Sequence, residues 1–159
     1  MSAKDQADTF FYYLNANGAS EDPIEATDSF LKEDTSLPRQ NGADFGMVWI
    51  DVEINPSYGC SWYDYSYSSN CEYLKDLVGY LQVYGHSVGI YTTLYMWEQI
   101  MGSRYACPDV AYVPLWYAHY DYNPSFSDYS QIGGWTTPAI KQYEGDKIFC
   151  GAGTDFNYY

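Results

Sequence analysis

The stretch from Gly46 to Pro56 constrains the fold more than any other part of this chain. Val48, Ile50, Val52 and Ile54 fall on one side of a period of two, and Trp49, Asp51 and Glu53 on the other. Alternation of β-branched residues with Pro56 close behind predicts a strand over 46–54 that stops at its C-terminal end. Residues i and i+2 of a strand point the same way, so Asp51 and Glu53 stand side by side, their Cα atoms ~7 Å apart. Two readings of the pair stay open. Carboxylates held together raise one another's pKa and keep a proton near neutral pH, as an acid pair must. A half-buried strand with its charged side in water has the same pattern.

Around this strand the chain alternates between two periods. Ala7, Phe10, Phe11 and Leu14 have helical spacing, which predicts a helix over 4–16 stopped at Asn17-Gly18. Residues 19–44 are polar and acidic with two prolines, and read as a long surface loop. A tyrosine-crowded loop with Trp62 leaves the acidic strand. Leu74, Leu77, Val78 and Leu81 then mark a helix from Asn70, as N-cap, to about Tyr84, stopped by Gly85. A strand over 86–92, a short helix from Leu94 to Met101 ended by Gly102, and a strand over 113–120 follow. Asp121 to Gly134 is a loop, and strands are expected at 139–143 and 154–159. Strand–helix–strand–helix–strand order predicts parallel, right-handed crossovers in an α/β sheet or barrel. In such barrels the chemistry sits at the C-terminal ends of the strands. Asp51 and Glu53 fall there, and so do Tyr91, Trp116 and Tyr120.

The chain has 159 residues, the size of one domain. Its 7 Lys+Arg against 21 Asp+Glu leave a net charge of -14. That balance argues against nucleic-acid partners, which need a basic face, and against binding to anionic membranes by charge. No apolar run approaches the ~20 residues of a membrane span. The 20 Tyr, 7 Phe and 5 Trp are the outlier. Tyr and Trp join a flat apolar face to a hydrogen-bonding tip, which suits sugar rings as well as ordinary packing.

Four cysteines, Cys60, Cys71, Cys107 and Cys150, contain no CxxC, and neither His86 nor His119 has zinc-like spacing from them. No metal and no cofactor is therefore expected. An even count points to two disulfides in an oxidising compartment. Of three connectivities, Cys60–Cys71 with Cys107–Cys150 is the favoured one. Met1 to Gln6 lacks the apolar run of a secretory signal, so either the start of the chain is absent or the cysteines are reduced.

Phe45 to Glu53, Val88-Gly89-Ile90-Tyr91-Thr92 and Trp97 to Gly102 resemble, in order and spacing, segments of the glycoside hydrolase family 25 lysozymes, in particular their eukaryotic branch. Pro114 to Asp121, Gly133-Gly134-Trp135, Lys141-Gln142-Tyr143 and Cys150 to Asn157 continue the resemblance, which runs from about Asp5 to the C-terminus. It implies one domain over 1–159, an irregular (β/α) barrel with 19–44 as an acidic surface insertion. It implies hydrolysis of the β-1,4 bond between N-acetylmuramic acid and N-acetylglucosamine in bacterial peptidoglycan; a monomer in a secreted or lysosomal/phagosomal setting is expected beside it. By the same resemblance Glu53 is the proton donor, and Asp51 assists the substrate's own 2-acetamido group in its attack on the anomeric carbon. Tyr91 and Trp116 match residues at the saccharide, and Gln142 and Asp155 match polar positions facing the barrel interior. Tyr120 joins them from the end of its strand. Family members begin with a strand carrying another active-site Asp and a second β/α unit, so the barrel is expected to be N-terminally incomplete.

The remaining polar residues have plainer readings. Asp121, Asp128 and Glu98 are expected to be solvated, His119 to be packed or at the surface, and Trp135 to pack in the core. Tyr63, Tyr65 and Tyr67 line either a sugar subsite or a tethered surface loop.

Overall fold

The computed structural model describes residues 9–12, 46–54 and 61–159. Six strands form one sheet in chain order: β1 (Thr9–Tyr12), β2 (Met47–Asp51), β3 (Val88–Thr92), β4 (Leu115–Ala118), β5 (Ile140–Phe149) and β6 (Ala152–Tyr158). Neighbours from β1 to β5 are parallel, and β6 returns antiparallel to β5. Helices α1 (Tyr67–Val83) and α2 (Leu94–Met101) lie in the crossovers on either side of β3. Among the described residues β1 and β6 each pair on one side alone, so the parallel strands make part of a barrel wall.

The period-two reading of the acidic strand is met in its two faces. Val48, Ile50 and Val52 pack with Leu74, Leu77, Val78 and Leu81 of α1 and with Trp97 and Ile100 of α2. Trp49 packs on the other face with Trp116 and Ile140, beside Met47 and Tyr91. A methyl group at Gly89 would run into the Trp49 ring, so the β2–β3 pairing needs glycine there.

Three expectations are corrected. Thr9–Tyr12 is a strand, where helical spacing predicted a helix over 4–16. Four β-forming residues pair with Met47–Ile50, and a ladder on an open sheet edge outweighs a short apolar period. The rest of 4–16, like the acidic stretch 19–44, lies outside the described residues. Helix α1 begins before Asn70: Ser66 caps it, its Oγ accepting from Ser69 N at 3.1 Å. Asn70 is 3% exposed, inside the helix, and its amide has other partners.

The cysteines pair differently as well. Cys71 of α1 is bonded to Cys107, which opens the 3-10 turn Pro108–Val110 packed against that helix. That bond excludes both Cys60–Cys71 and Cys107–Cys150. Nearness in sequence favoured the short loop, but packing brings together residues 36 apart. Cys150 is exposed and free, and Cys60 lies outside the described residues.

The last hairpin is longer than its sequence suggests. β4 pairs with only Ile140–Gln142, so β5 and β6 run on beyond the sheet as a two-stranded arm. Cys150 and Gly151, both at positive φ, make its two-residue turn.

Candidate active site

Asp51 and Glu53 stand where β2 ends. Asp51 is the last residue in register with β3, opposite Tyr91, and Val52 N donates to Tyr91 O at 2.8 Å. Burial, and then the neighbouring Glu53 charge, push the Asp51 carboxyl up to about 7. Burial raises Glu53 too. Asp51 Oδ1 is buried with no hydrogen-bond partner among the described residues. A buried carboxylate oxygen left without a donor favours the protonated form and offers an acceptor to an incoming N–H or O–H.

Four other expected residues form one network. Tyr91 Oη and Tyr120 Oη both donate to Gln142 Oε1, at 2.7 and 2.8 Å. Gln142 Nε2 donates to Asp155 Oδ2 at 2.9 Å. This pattern fixes the amide: the opposite orientation would set the carboxylate against the amide oxygen. Burial, then the Glu53 charge, raise Tyr91, and burial, then Asp155, raise Tyr120. Both hydroxyls therefore keep their protons and stay donors.

Trp116 is 2% exposed and lies beneath this network. Its ring meets Tyr91 edge to face at 5.2 Å and Trp49 at 5.4 Å. It supports Tyr91 from the barrel side.

The hairpin arm adds residues that the sequence reading passed over. Asp146 N donates to the second Asp155 oxygen at 3.0 Å, and Gly145 faces the Tyr120 hydroxyl closely. Glycine between two acids inside a strand pattern is a bulge signal, and the β5–β6 register does shift between Gln142 and Lys147.

Lys141 points to the opposite side of β5 from Gln142, and its side chain is wholly buried. Its Nζ reaches Asp128 Oδ1 at 2.6 Å and Asp121 Oδ2 at 2.8 Å. Asp121 and Asp128 were expected to be solvated; they pin their loop to the sheet through Lys141. Burial alone would raise Asp128, but hydrogen bonds from Lys141, His119 and Tyr117 outweigh it and carry the carboxyl down to about 2. His119, at the surface as expected, adds Nδ1 to Asp128 Oδ2 at 2.7 Å. His119, Asp121 and Asp128 are close enough to share a cation, but the Lys141 ammonium already meets both carboxylates. Trp135 packs in the core, its Nε1 donating to Val113 O at 2.6 Å. Glu98 is half-buried, and Tyr63, Tyr65 and Tyr67 are exposed. No helix among the described residues is long and apolar enough to cross a membrane.

Comparison with known proteins supports this architecture. A family model described as lysozyme-like protein 1 matches residues 3–143. The probable GH family 25 lysozyme 2 of Dictyostelium discoideum is 45% identical over 117 residues, 74% of this chain and 51% of its own length. The chain thus spans about half of that relative. Counting factor 50 of the same organism is 39% identical over 134 residues, 82% of this chain and 41% of its own. A family GH25 lysozyme from Aspergillus fumigatus superposes with a TM-score of 0.64 at 23% identity, over 94% of this chain and 66% of that one. In fold, the described residues form part of an irregular β/α barrel of the kind expected. The chain belongs to the glycoside hydrolase family 25 lysozymes and lysozyme-like proteins.

Proposed function

We propose that this chain hydrolyses the β-1,4 bond between N-acetylmuramic acid and N-acetylglucosamine in bacterial peptidoglycan. The observation that carries the reading is the pair of raised carboxyls at the end of β2, Asp51 about 7 and Glu53 above its usual value, beside the Tyr91 hydroxyl. Glu53 gives its proton to the leaving glycosidic oxygen. The substrate's acetamido oxygen attacks the anomeric carbon as that bond breaks, forming a cyclic oxazolinium. Water then opens the ring at the same carbon and returns a proton to Glu53, so configuration is retained. Such a route differs from two-carboxylate schemes in needing no enzyme nucleophile.

Asp51 accepts the acetamido N–H. Its unpartnered Oδ1 is the acceptor, and a hydrogen bond to the charged form brings its pKa down on binding. Below about pH 7 the free site thus holds Asp51 mostly protonated, and substrate favours the anion that the oxazolinium needs. Tyr91 and Tyr120, oriented by Gln142 and Asp155, complete the saccharide wall, with Trp116 beneath. The Cys71–Cys107 bond suits secretion or a lysosomal or phagosomal lumen, and the chain acts there as a monomer.

The test is release of reducing ends from bacterial cell walls at acid and neutral pH. Wild type releases them and Glu53→Gln does not. Equal activity of the two refutes the assignment. The aromatic face of Tyr91, Tyr120 and Trp116 favours a second reading, a glycan-binding domain without turnover. Muropeptide binding by calorimetry with no reducing ends would establish that one instead.

A further inference from the structure

The backbone that carries Glu53 has left the sheet. Asp51 is the last β2 residue in the ladder with β3, and Val52 N makes the last strand-like bond to Tyr91 O. Backbone groups beyond a ladder need other partners when they are buried. Here three side chains from three different elements supply them. Thr92 Oγ1, fully buried, donates to Val52 O at 2.8 Å. Trp62 Nε1 donates to Glu53 O at 3.0 Å. Ile54 N donates to Met96 Sδ at 3.5 Å.

The segments that carry Trp62 and Met96 are held in turn. Asn70, buried in α1, donates through Nδ2 to Trp62 O at 3.1 Å and to Ile100 O at 2.9 Å. The Trp62 ring stands edge to face on Tyr73 at 6.0 Å. Thr93, the N-cap of α2, accepts from Met96 N at 3.0 Å and fixes the turn in which Met96 lies. Both helices therefore converge on the backbone just where it leaves the β2–β3 ladder.

We infer that Trp62 and Thr92, with Met96, clasp the Val52–Ile54 backbone and are positioning residues that set where the Glu53 carboxyl stands. This inference rests on the reading of Glu53 as proton donor. A side chain that hangs on an unladdered backbone moves with it, and a misplacement of about 1 Å costs a catalytic group up to a hundredfold in rate. Trp62 contributes one bond, and Phe in its place keeps most of the ring contact and loses the N–H. Val for Thr92 keeps the shape and loses the donor, and Ser restores the donor.

The experiment reads the clasp by two routes. In the first, the Glu53 carboxyl carbon is followed by NMR titration of the full chain, wild type, Trp62→Phe, Thr92→Val and Thr92→Ser. Glu53 is expected to titrate roughly half a pH unit or more closer to the ordinary Glu value in Trp62→Phe and Thr92→Val, and as wild type in Thr92→Ser. In wild type itself the Trp62 indole proton is expected to exchange far more slowly than a free indole. Exchange at the solvent rate, or an unmoved Glu53 titration in folded Trp62→Phe, overturns the inference, and the wild-type measurement decides it should the variants not fold. In the second route, cell-wall hydrolysis by Trp62→Phe shows a kcat down roughly tenfold with KM little changed. A wild type that binds muropeptides without turnover defeats the reading of Glu53 as acid, while the titration and exchange still decide the clasp.

Discussion

Gln142 and Asp155 are joined across the antiparallel pair β5–β6, Nε2 to Oδ2 at 2.9 Å, and that one bond decides which way the Gln142 amide faces two tyrosines. The amide oxygen then has both lone pairs filled, by Tyr91 and Tyr120. Asp155→Ala leaves Nε2 without its anion and lets the amide turn. We expect wall hydrolysis to fall roughly tenfold or more, as two donors lose their aim. Asp155 is exposed, so its loss is expected to shift stability by about 1 kcal/mol or less. Thermal melting and kcat measured on the same preparation check both; an unchanged kcat refutes the role.

Asp51 makes stability depend on pH with a definite sign. Its folded carboxyl is raised from 3.8 to about 7, so folding favours the protonated acid. The contribution is fully present below about pH 4 and is lost as pH rises to about 7. Asp51→Asn has no proton to lose there. The fall in Tm from pH 4 to pH 7 is therefore expected to be larger in wild type than in Asp51→Asn. Equal falls would show that Asp51 does not titrate in that window.

Lys141 has the opposite kind of acid sensitivity behind the sheet. Asp128 is held down at about 2, so its share of stability is present above the usual carboxylate pKa and is lost as pH falls towards 2. Lys141→Met removes the buried ammonium that Asp121 and Asp128 share. Breaking one side of a buried ion cluster costs roughly 3 kcal/mol, near the low end because the two acids keep some contact with water. Urea unfolding at neutral pH measures it. A loss below about 1 kcal/mol would reduce the cluster to an ordinary surface pair.

The sequence made the acidic strand legible because its two faces differ chemically: Val48, Ile50 and Val52 need a core, and Asp51 does not. Helix α2 was legible from its apolar spacing and from Gly102, which does adopt the left-handed conformation that ends a helix. What stayed hidden depends on partners far along the chain. Thr9–Tyr12 is a strand through its pairing with β2, and local periodicity does not contain that pairing. Cys71 meets Cys107 because α1 packs on the Pro108–Val110 turn. Asp121 and Asp128 read as loop acids until Lys141, on the hidden side of β5, is placed beneath them. The site's residue types were readable one by one, but the sharing of a single amide oxygen by Tyr91 and Tyr120 was not.

Gly145 tests how closely the hairpin arm fits the Tyr91–Gln142–Tyr120 network. A Cβ built there would lie 2.8 Å from Tyr120 Oη and 2.9 Å from Cζ, nearer than such contacts allow. Gly145→Ala therefore has to push either the arm or the Tyr120 hydroxyl, and the hydroxyl is also the group bonded to Gln142. We expect a stability loss of roughly 1–3 kcal/mol, the usual cost of overpacking, with a raised KM for cell-wall fragments. Tyr120→Ala removes both the hydroxyl and the ring carbons in the way, so the stability cost of Gly145→Ala should shrink in that background. Residues in contact give coupling energies of roughly 0.5–3 kcal/mol in such a cycle. Unfolding measured for both single variants and the double decides it. Strict additivity would mean that the arm, and not Tyr120, yields to the added methyl.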